Sequence, residues 1–336
     1  MARAGPVDML APGSIVGGFT IKGAIGSGAM GAVYAARHRW LGRPAAVKIL
    51  HDDVHLLPQV RERLLHEARI VAGLRHPNIV EVLDAGEHEG VPYLVMELLH
   101  GQTLGERMDA GRLSPLESIA ILRQVCAALR AAHACGVIHR DLKPDNIFLA
   151  GSTVKVLDWG VARSLGLARR LTSEGSIVGT PEYMAPEQCC AGELDARSDI
   201  YSLGVVAWEM FLEDVPFGGD TAVDVLAGHI ARDPELPRTL WPKIPAQLES
   251  LLLAMLAKRP ADRPTVGEVL AALDQAELEL EARRTGLIEL RRRKRRRSSG
   301  AAAGFLMAAA ITLAALYAAV GAPATLAIDV AAWAGR

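Results

Sequence analysis

The spacing of apolar residues changes along the chain from a strand period to a helix period. In the first hundred residues, short apolar runs separated by glycine or proline predict strands over Phe19–Ile25, Gly31–Arg37 and Ala45–Leu50. The segment Pro58–Leu74 has apolar residues at positions 60, 64, 68 and 71, which is a helical period. This part of the chain is therefore predicted to form short strands with one helix.

Beyond Leu99 the pattern becomes mostly helical. The capping box Ser114–Glu117, with proline at the first helical position, opens an Ala- and Leu-rich helix that is predicted to reach Gly136. A second helix is predicted over Ile200–Leu212, and further helices follow to about residue 275. Strands first and helices afterwards predict an α+β protein of two lobes with a cleft between them.

Composition narrows the class of protein. A chain of 336 residues that is 50% hydrophobic is too long for one minimal domain and too apolar to be disordered. The net charge of -1 hides an acidic body, because residues 291–336 carry +7 and residues 1–290 carry -8. A short basic tract on an acidic body argues against a nucleic-acid binder. Four cysteines without C-x-x-C spacing favour free thiols in a reducing compartment.

The C-terminal part has the charge pattern of a membrane anchor. After a charged amphipathic stretch, seven consecutive basic residues end at Arg297, and residues 298–328 carry no charged side chain. The segment 301–322 is long enough to cross a bilayer, and the basic block predicts that everything before it is cytoplasmic. The alternative is a buried or loose Ala-rich tail. The predicted organisation is completed by a loose leader (1–18), a basic juxtamembrane segment (276–297) and a short extracytoplasmic tail (323–336).

The run Gly26-Ser27-Gly28-Ala29-Met30-Gly31 is the first candidate for chemistry. Closely spaced glycines allow backbone N–H groups to approach phosphates. The same spacing occurs in dinucleotide-binding folds, where the last glycine opens a helix. Here a strand-like run, Val33–Ala36, follows the glycines. This context favours a hairpin that forms a lid over phosphates.

A lysine and a glutamate follow the lid. Ala46 and Lys48 share one face of the third predicted strand, where the small side chain leaves room for a flat base and the lysine can reach phosphates. Glu67 lies on the apolar stripe of the predicted helix. Because a carboxylate on such a face needs a partner, we expect Glu67 to pair with Lys48.

The segment His139–Asn146 concentrates a base, cations and a metal-capable amide between a helix and an apolar strand. A second acid of the metal-binding type occurs in Asp158-Trp159-Gly160, after the predicted strand Val154–Leu157. Carboxylate and amide oxygens are hard ligands suited to Mg²⁺ with phosphates.

With these motifs and Gly179–Glu187 in this order, the chain resembles the eukaryotic-like (Hanks-type) serine/threonine protein kinases, in a bacterial membrane-anchored form. The resemblance covers about residues 19–275. It implies a bilobal protein-kinase fold, with a β-rich N-lobe over 19–99 and a helical C-lobe over 100–275. ATP and Mg²⁺ are the implied cofactors.

The resemblance also implies roles for individual residues. Asp141 is the catalytic base, Lys143 neutralises the transferring phosphoryl group, and Lys143 with Thr180 marks the Ser/Thr class. Lys48 holds the α- and β-phosphates and pairs with Glu67. The Mg²⁺ ligands are Asn146 and Asp158. The remaining nucleotide-binding residues are the lid and adenine-pocket positions Ile25, Gly26, Ser27, Gly28, Gly31, Val33, Ala46, Met96, Glu97, Leu99 and Phe148.

Two structural pairings are implied as well. Glu187 is expected to pair with Arg263, and Asp199 is expected to brace the backbone near His139 and Arg140. Arg140 also suggests control by phosphorylation of the activation segment at Thr172, Ser173 or Ser176, with Glu174 supplying part of that charge permanently. Trp159 stands where relatives usually have Phe.

The resulting functional prediction is γ-phosphoryl transfer from Mg·ATP to Ser or Thr hydroxyls of protein substrates, with autophosphorylation. The alternative is a pseudokinase that binds nucleotide or acts as a scaffold at the membrane. The span 301–322 is expected to serve as an anchor or as a pairing surface for a homodimer, because Ala301, Gly304 and Ala308 allow close helix approach.

Overall fold

The computed structural model describes residues 10–28, 31–50, 68, 70–159, 180–190, 192–236 and 245–286. The chain divides into two units, Met1–Glu277 and Leu278–Arg336. In the second unit, residues 278–286 are helical. The first unit contains every element discussed below.

An antiparallel sheet forms the N-terminal part of this unit. Its strands lie in the order β1-β2-β3-β4-β6-β5. Their inward-facing apolar side chains, among them Val16, Tyr34, Val47 and Val95, form one buried cluster. The strand bounds are β1 Ile15–Val16, β2 Phe19–Gly28, β3 Gly31–His38, β4 Pro44–Leu50, β5 Val82–His88 and β6 Val91–Glu97.

The sheet begins earlier than predicted. Ile15 and Val16 pair with Thr20 and Phe19, and Val16 is completely buried. The end of the predicted leader (1–18) therefore belongs to the sheet, because an apolar pair there covers the edge of β2. The three predicted strands are confirmed. The first of them is longer than predicted, since Gly26–Gly28 pairs with Gly31–Val33.

The predicted helix Pro58–Leu74 falls mostly outside the described residues. Within it, residue 68 and residues 70–72 are helical. Ala68 and Val71 are buried whereas Ile70 is 41% exposed, as the helical period requires.

Helices dominate the C-terminal part. Their bounds are α1 Leu104–Asp109, α2 Pro115–Ala134, α3 Pro186–Cys189, α4 Ala196–Leu212, α5 Ala222–Ala231 and α6 Ala246–Met255, and residues 266–277 are also helical. The Ser114 hydroxyl accepts a hydrogen bond from the Glu117 N–H, which confirms the predicted cap of α2. The helix α4 is buried along nearly its whole length and forms the centre of this lobe.

The helix α4 begins four residues before its predicted start at Ile200. Asp195 caps it by accepting a hydrogen bond from the Arg197 N–H at 2.8 Å. The start was not predicted because the first turn, Ala196–Asp199, is mostly polar and lacks the apolar spacing of a helix. Asp199 is therefore the fourth residue of the helix and belongs to its first turn.

A small sheet lies beside these helices, with strands β7 Gln102–Thr103, β8 Ile147–Ala150 and β9 Thr153–Val156. Backbone hydrogen bonds connect β9 to the segment that leads into β5. The Val156 N–H donates to the Asn78 carbonyl, and the Val80 N–H donates to the Val156 carbonyl. These two bonds join the strand-rich and helix-rich lobes next to the cleft.

The predicted α+β architecture of two lobes is confirmed. Within the part of the chain that the structure describes, no helix combines the length and apolarity needed to cross a bilayer. The predicted span 301–322 lies outside that part.

Candidate active site

The glycine-rich run lies in the hairpin of β2 and β3. Gly26 pairs with Val33, and Gly28 pairs with Gly31. A Cβ on Gly31 would lie 2.1 Å from the Ile49 carbonyl oxygen on β4, so only glycine fits there. The glycines are therefore followed by a strand, which confirms the hairpin and excludes a dinucleotide-binding turn that opens a helix.

Lys48 extends from β4 towards the cleft. Its Nζ lies 2.6 Å from Asp158 Oδ2, and the two side chains are 16% and 37% exposed. Burial alone would raise the pKa of Asp158, but the neighbouring Lys48 charge and hydrogen bond outweigh burial and hold that pKa below its ordinary value. The predicted partner Glu67 lies outside the described residues, so the Lys48–Glu67 pair stays a prediction.

The predicted adenine-pocket residues lie on strands of both sheets. Ala46 on β4 pairs with Met96 on β6, and both side chains are buried. Val33 pairs with Lys48, Ile25 on β2 is 54% exposed, and Phe148 lies on β8. Ala46, Val33 and Met96 therefore lie on the same sheet as Lys48, whereas Phe148 lies on the small sheet beside the helices.

Lys155, which was not identified from the sequence, fixes the connection between the lobes. Lys155 Nζ donates to Glu97 Oε1 at 2.6 Å, and the same oxygen accepts the Glu81 N–H at 2.8 Å. The Glu97 N–H donates to the Glu81 carbonyl. The backbone that leads from Glu97 to Leu99 is consequently anchored at its start.

The predicted catalytic residues lie together between α2 and β8. Asn146 Nδ2 donates to the Asp141 carbonyl at 2.7 Å and to Asp141 Oδ2 at 3.3 Å. Lys143 Nζ donates to Thr180 Oγ1 at 2.9 Å. These hydrogen bonds join two pairs of residues, Asp141 with Asn146 and Lys143 with Thr180.

The donor set fits a hard divalent cation. The amide nitrogen of Asn146 is used by Asp141, which leaves the amide oxygen as the atom that can coordinate. Asp158 supplies a carboxylate, and the Leu157 N–H is bonded to the Asn146 carbonyl, so the two candidate ligands are held on adjacent backbone segments. Oxygen donors of this kind suit Mg²⁺.

Asp199 fixes the backbone before Asp141, as the sequence predicted. Its two carboxylate oxygens accept the N–H groups of His139 and Arg140, each at 2.8 Å. Arg140 has a positive φ of 67°, which these bonds help to stabilise. The His133 Nε2 donates to Asp199 at 2.7 Å. His133 was not identified from the sequence, because a histidine within an Ala-rich helix gives no signal.

Two hydrogen bonds hold His139 in one tautomer. The Asp141 N–H donates to its Nδ1 at 3.3 Å, so Nε2 carries the proton that is donated to the Leu157 carbonyl at 2.7 Å. The ring of Trp159 lies 4.9 Å from the His139 ring, and its Nε1–H donates to the Val156 carbonyl at 3.0 Å. The indole therefore makes a hydrogen bond that a phenylalanine would lack.

The predicted pair of Glu187 and Arg263 is confirmed. Two hydrogen bonds of 2.7 Å join the guanidinium to both carboxylate oxygens, and the Arg263 side chain is fully buried. Burial raises the pKa of Glu187, but the bonds from Arg263 and Ser198 outweigh it and lower that pKa overall. This ion pair fixes the end of the segment that begins at Thr180.

A second group of contacts supports Pro181–Tyr183. The Tyr183 hydroxyl donates to Glu209 Oε2 at 2.6 Å, and the Ser202 hydroxyl donates to the Tyr183 carbonyl.

On α5, His229 is completely buried, and its Nδ1 accepts a hydrogen bond from the Tyr201 hydroxyl at 2.8 Å. Burial, together with the Lys258 charge, lowers the pKa of His229 to about 4.

Comparison with known proteins identifies the family to which this chain belongs. The family model described as "protein kinase domain" matches residues 19–273. The chain belongs to the protein kinase domain family. The sequence-based resemblance to Hanks-type bacterial serine/threonine kinases is thereby confirmed, and so is the bilobal kinase fold.

Two of the similar proteins are serine/threonine-protein kinases from bacteria. Serine/threonine-protein kinase Pkn1 of Myxococcus xanthus is 42% identical over 256 residues, which are 74% of this chain and 36% of that protein. Serine/threonine-protein kinase PknB of Mycobacterium leprae is 40% identical over 256 residues, which are 74% of this chain and 41% of that protein. The matched kinase domain is thus well under half of each of these relatives.

Among solved structures, the PknI kinase domain of Mycobacterium tuberculosis is similar in fold. It has a TM-score of 0.65 at 28% identity, and the match covers 80% of this chain and 99% of that one.

Proposed function

We propose that this kinase domain transfers the γ-phosphoryl group of Mg·ATP to Ser and Thr hydroxyls of proteins, including its own. The observation that carries the proposal is the single cleft in which Lys48 contacts Asp158, Asn146 contacts Asp141, and Lys143 contacts Thr180. The named serine/threonine kinases among the relatives support the same activity.

Asp141 is the proposed base. Asn146 and the braced backbone of His139 and Arg140 fix the position of its carboxylate. A carboxylate held in this way can orient a substrate hydroxyl and accept its proton. Much of the rate enhancement comes from such positioning, because a fixed geometry removes the entropic cost of alignment.

Lys143 and Lys48 supply positive charge to the proposed site. Lys143 Nζ, which is bonded to Thr180, lies where it can neutralise charge on the transferring phosphoryl group. Lys48 is held by Asp158 and is poised for the α- and β-phosphates. Asn146 and Asp158 would hold Mg²⁺, which when bound neutralises phosphate charge.

The pseudokinase alternative is not favoured. A nucleotide-binding scaffold would not require a base, its orienting amide and a second lysine. Here Asp141, Asn146 and Lys143 are all present, and each is held by a specific contact.

The test measures incorporation of labelled γ-phosphate from Mg·ATP by the full chain. Asp141→Asn and Lys48→Met are each expected to reduce it by about 100-fold or more, because they remove the base and the phosphate-binding charge. Lys22→Met and Asp220→Asn are matched controls at exposed positions, and both should retain activity. Equal activity of Asp141→Asn and the unaltered chain would refute the proposal.

The activation segment is the proposed site of self-modification. Arg140, next to Asp141, would pair with a phosphate on Thr172, Ser173 or Ser176, which lie outside the described residues. Mass spectrometry after incubation with Mg·ATP is expected to locate phosphate there. Full activity with residues 172–176 unmodified would contradict this proposal.

We also propose that residues 301–322 span the inner membrane once, with the kinase domain in the cytoplasm, and that Ala301, Gly304 and Ala308 pair two copies. The support is the charge-free stretch of 298–328 behind the basic block 291–297. The full chain should resist alkaline extraction from membranes, and deletion of 298–336 should release it. Continued membrane retention of the deleted chain would disprove the anchor.

A further inference from the structure

The turn between β3 and β4 presents two large apolar side chains to solvent. Trp40 is 85% exposed and Leu41 is 77% exposed. Other large apolar side chains that are exposed in the described residues, such as Val223 at 64%, are less exposed. A single exposed leucine is ordinary. An adjacent tryptophan and leucine at the tip of a hairpin instead form a protruding apolar surface that no other part of the described chain covers.

This projection is held by the backbone of the turn. The His38 N–H donates to the Arg43 carbonyl at 2.8 Å, and the Gly42 N–H donates to the His38 carbonyl at 2.9 Å. The N–H groups of Trp40 and Leu41 both donate to His38 Nδ1, at 3.2 and 3.1 Å. These bonds hold the backbone of the turn in one conformation and use the N–H groups of both Trp40 and Leu41.

Positive charge surrounds the tip. Arg37, Arg39 and Arg43 are exposed, and the Arg39 guanidinium carbon lies 5.9 Å from the centroid of the Trp40 ring. The Arg37 Nη1 lies 3.8 Å from the position that a Cβ on Gly42 would occupy. Arg43 is paired with Glu81 at 2.7 Å, which leaves Arg37 and Arg39 as the cations nearest to the two apolar side chains.

The shape and charge of the tip favour a bilayer over a protein partner. A stable protein interface buries about 800 Å² on each partner, which a convex tip of two side chains does not supply. A bilayer interface accepts single protruding side chains, and tryptophan is enriched at that depth. Arginines beside it match the negative charge of anionic headgroups.

We propose that the β3–β4 turn is a membrane-contact site that inserts Trp40 and Leu41 into the interface of an anionic bilayer, with Arg37 and Arg39 on headgroup phosphates. This contact lies within the kinase domain and requires neither phosphoryl transfer nor the proposed span.

The test uses the full chain in vesicles of phosphatidylcholine, with or without phosphatidylserine. Tryptophan emission is recorded for the unaltered chain and for Trp40→Ser, and their difference isolates the emission of Trp40. With phosphatidylserine present, we expect lipids brominated near the headgroup to quench this difference emission at least twofold. Aqueous iodide should quench it less than it does in detergent solution.

Two further variants separate the apolar and charged contributions. Replacing Arg37 and Arg39 together by Gln should abolish the dependence on phosphatidylserine, and Leu41→Ser should weaken bromolipid quenching. Val223→Ser, which removes an exposed apolar side chain on α5, should change neither measurement. All variants should keep the autophosphorylation of the unaltered chain in detergent, which verifies their folding.

Quenching of Trp40 by iodide but not by bromolipid would overturn the proposal. Protection from both quenchers, with dimers formed through a cysteine placed at position 40, would assign the tip to a second copy of the chain and would also overturn it. Loss of the protein from vesicles on alkaline extraction, with quenching preserved, would refute the span and leave the contact standing.

Discussion

The Asp199 carboxylate positions the catalytic loop without itself acting on substrate. It is 1% exposed, and it accepts two backbone N–H groups of the loop as well as the ring nitrogen of His133. Because buried donors must be satisfied, Asp199 helps to stabilise the left-handed backbone at Arg140, whose carbonyl also accepts a hydrogen bond from Gln188. A residue remote from the phosphate thus determines where the base lies.

We expect Asp199→Ala to lower the free energy of unfolding by about 3 kcal/mol, since it leaves buried N–H groups without acceptors. Autophosphorylation should fall at least tenfold even at temperatures where the protein remains folded. Urea unfolding and a kinase assay measure the two effects. Asp220→Asn, at an exposed carboxylate, is the control, and an Asp199→Ala variant of unchanged activity would disprove the positioning role.

The indole of Trp159 is expected to stabilise the fold through its hydrogen bond. Replacement by Phe, the residue usual in the family, removes the hydrogen bond to the Val156 carbonyl and part of the contact with His139. We expect a loss of about 1 kcal/mol in unfolding free energy, with phosphoryl transfer retained. If Trp159→Phe unfolded at the same urea concentration as the unaltered chain, the indole hydrogen bond would contribute nothing.

Some elements and contacts of the fold can be predicted from the sequence, and others cannot. The glycine hairpin, α2 and the strands around Lys48 follow from local patterns, because spacing and caps encode them. The start of α4 does not, because its first turn is polar, and the contacts of Lys155 and His133 do not, because they join residues far apart in the sequence. The roles of Asp141, Asn146 and Lys143 came from the family motif, and local periodicity alone would not assign them.

The closeness of β3 and β4 can be tested at Gly31. Gly31→Ala places a methyl group 2.1 Å from the Ile49 carbonyl, so the strands must separate beside Lys48. We expect a loss of about 3 kcal/mol in stability and weaker binding of ATP. Gly23→Ala is the matched control, since no atom lies within 4 Å of its added Cβ. Thermal unfolding with and without ATP distinguishes the two variants.

Acid stability of the whole molecule should depend on His229. Its folded pKa of about 4 lies below the ordinary value of 6.5, so the unfolded chain binds the proton first as the pH falls. The stabilisation is complete above pH 6.5 and is lost progressively towards pH 4, amounting to about 3 kcal/mol. Unfolding free energies measured across this range should flatten in His229→Gln. An equally steep dependence in that variant would exclude His229 as the source.

The backbone bonds between Val156 and the segment Asn78–Val80 limit how the cleft can open. They fasten the strand that precedes Asp158 to the chain that enters β5, so we expect this point of contact to stay fixed when the lobes move. Opening is then a pivot about this point and not a sliding of one lobe past the other. We expect nucleotide to enter and leave on the side of the cleft farthest from this pivot, because there a rotation displaces the lobes most.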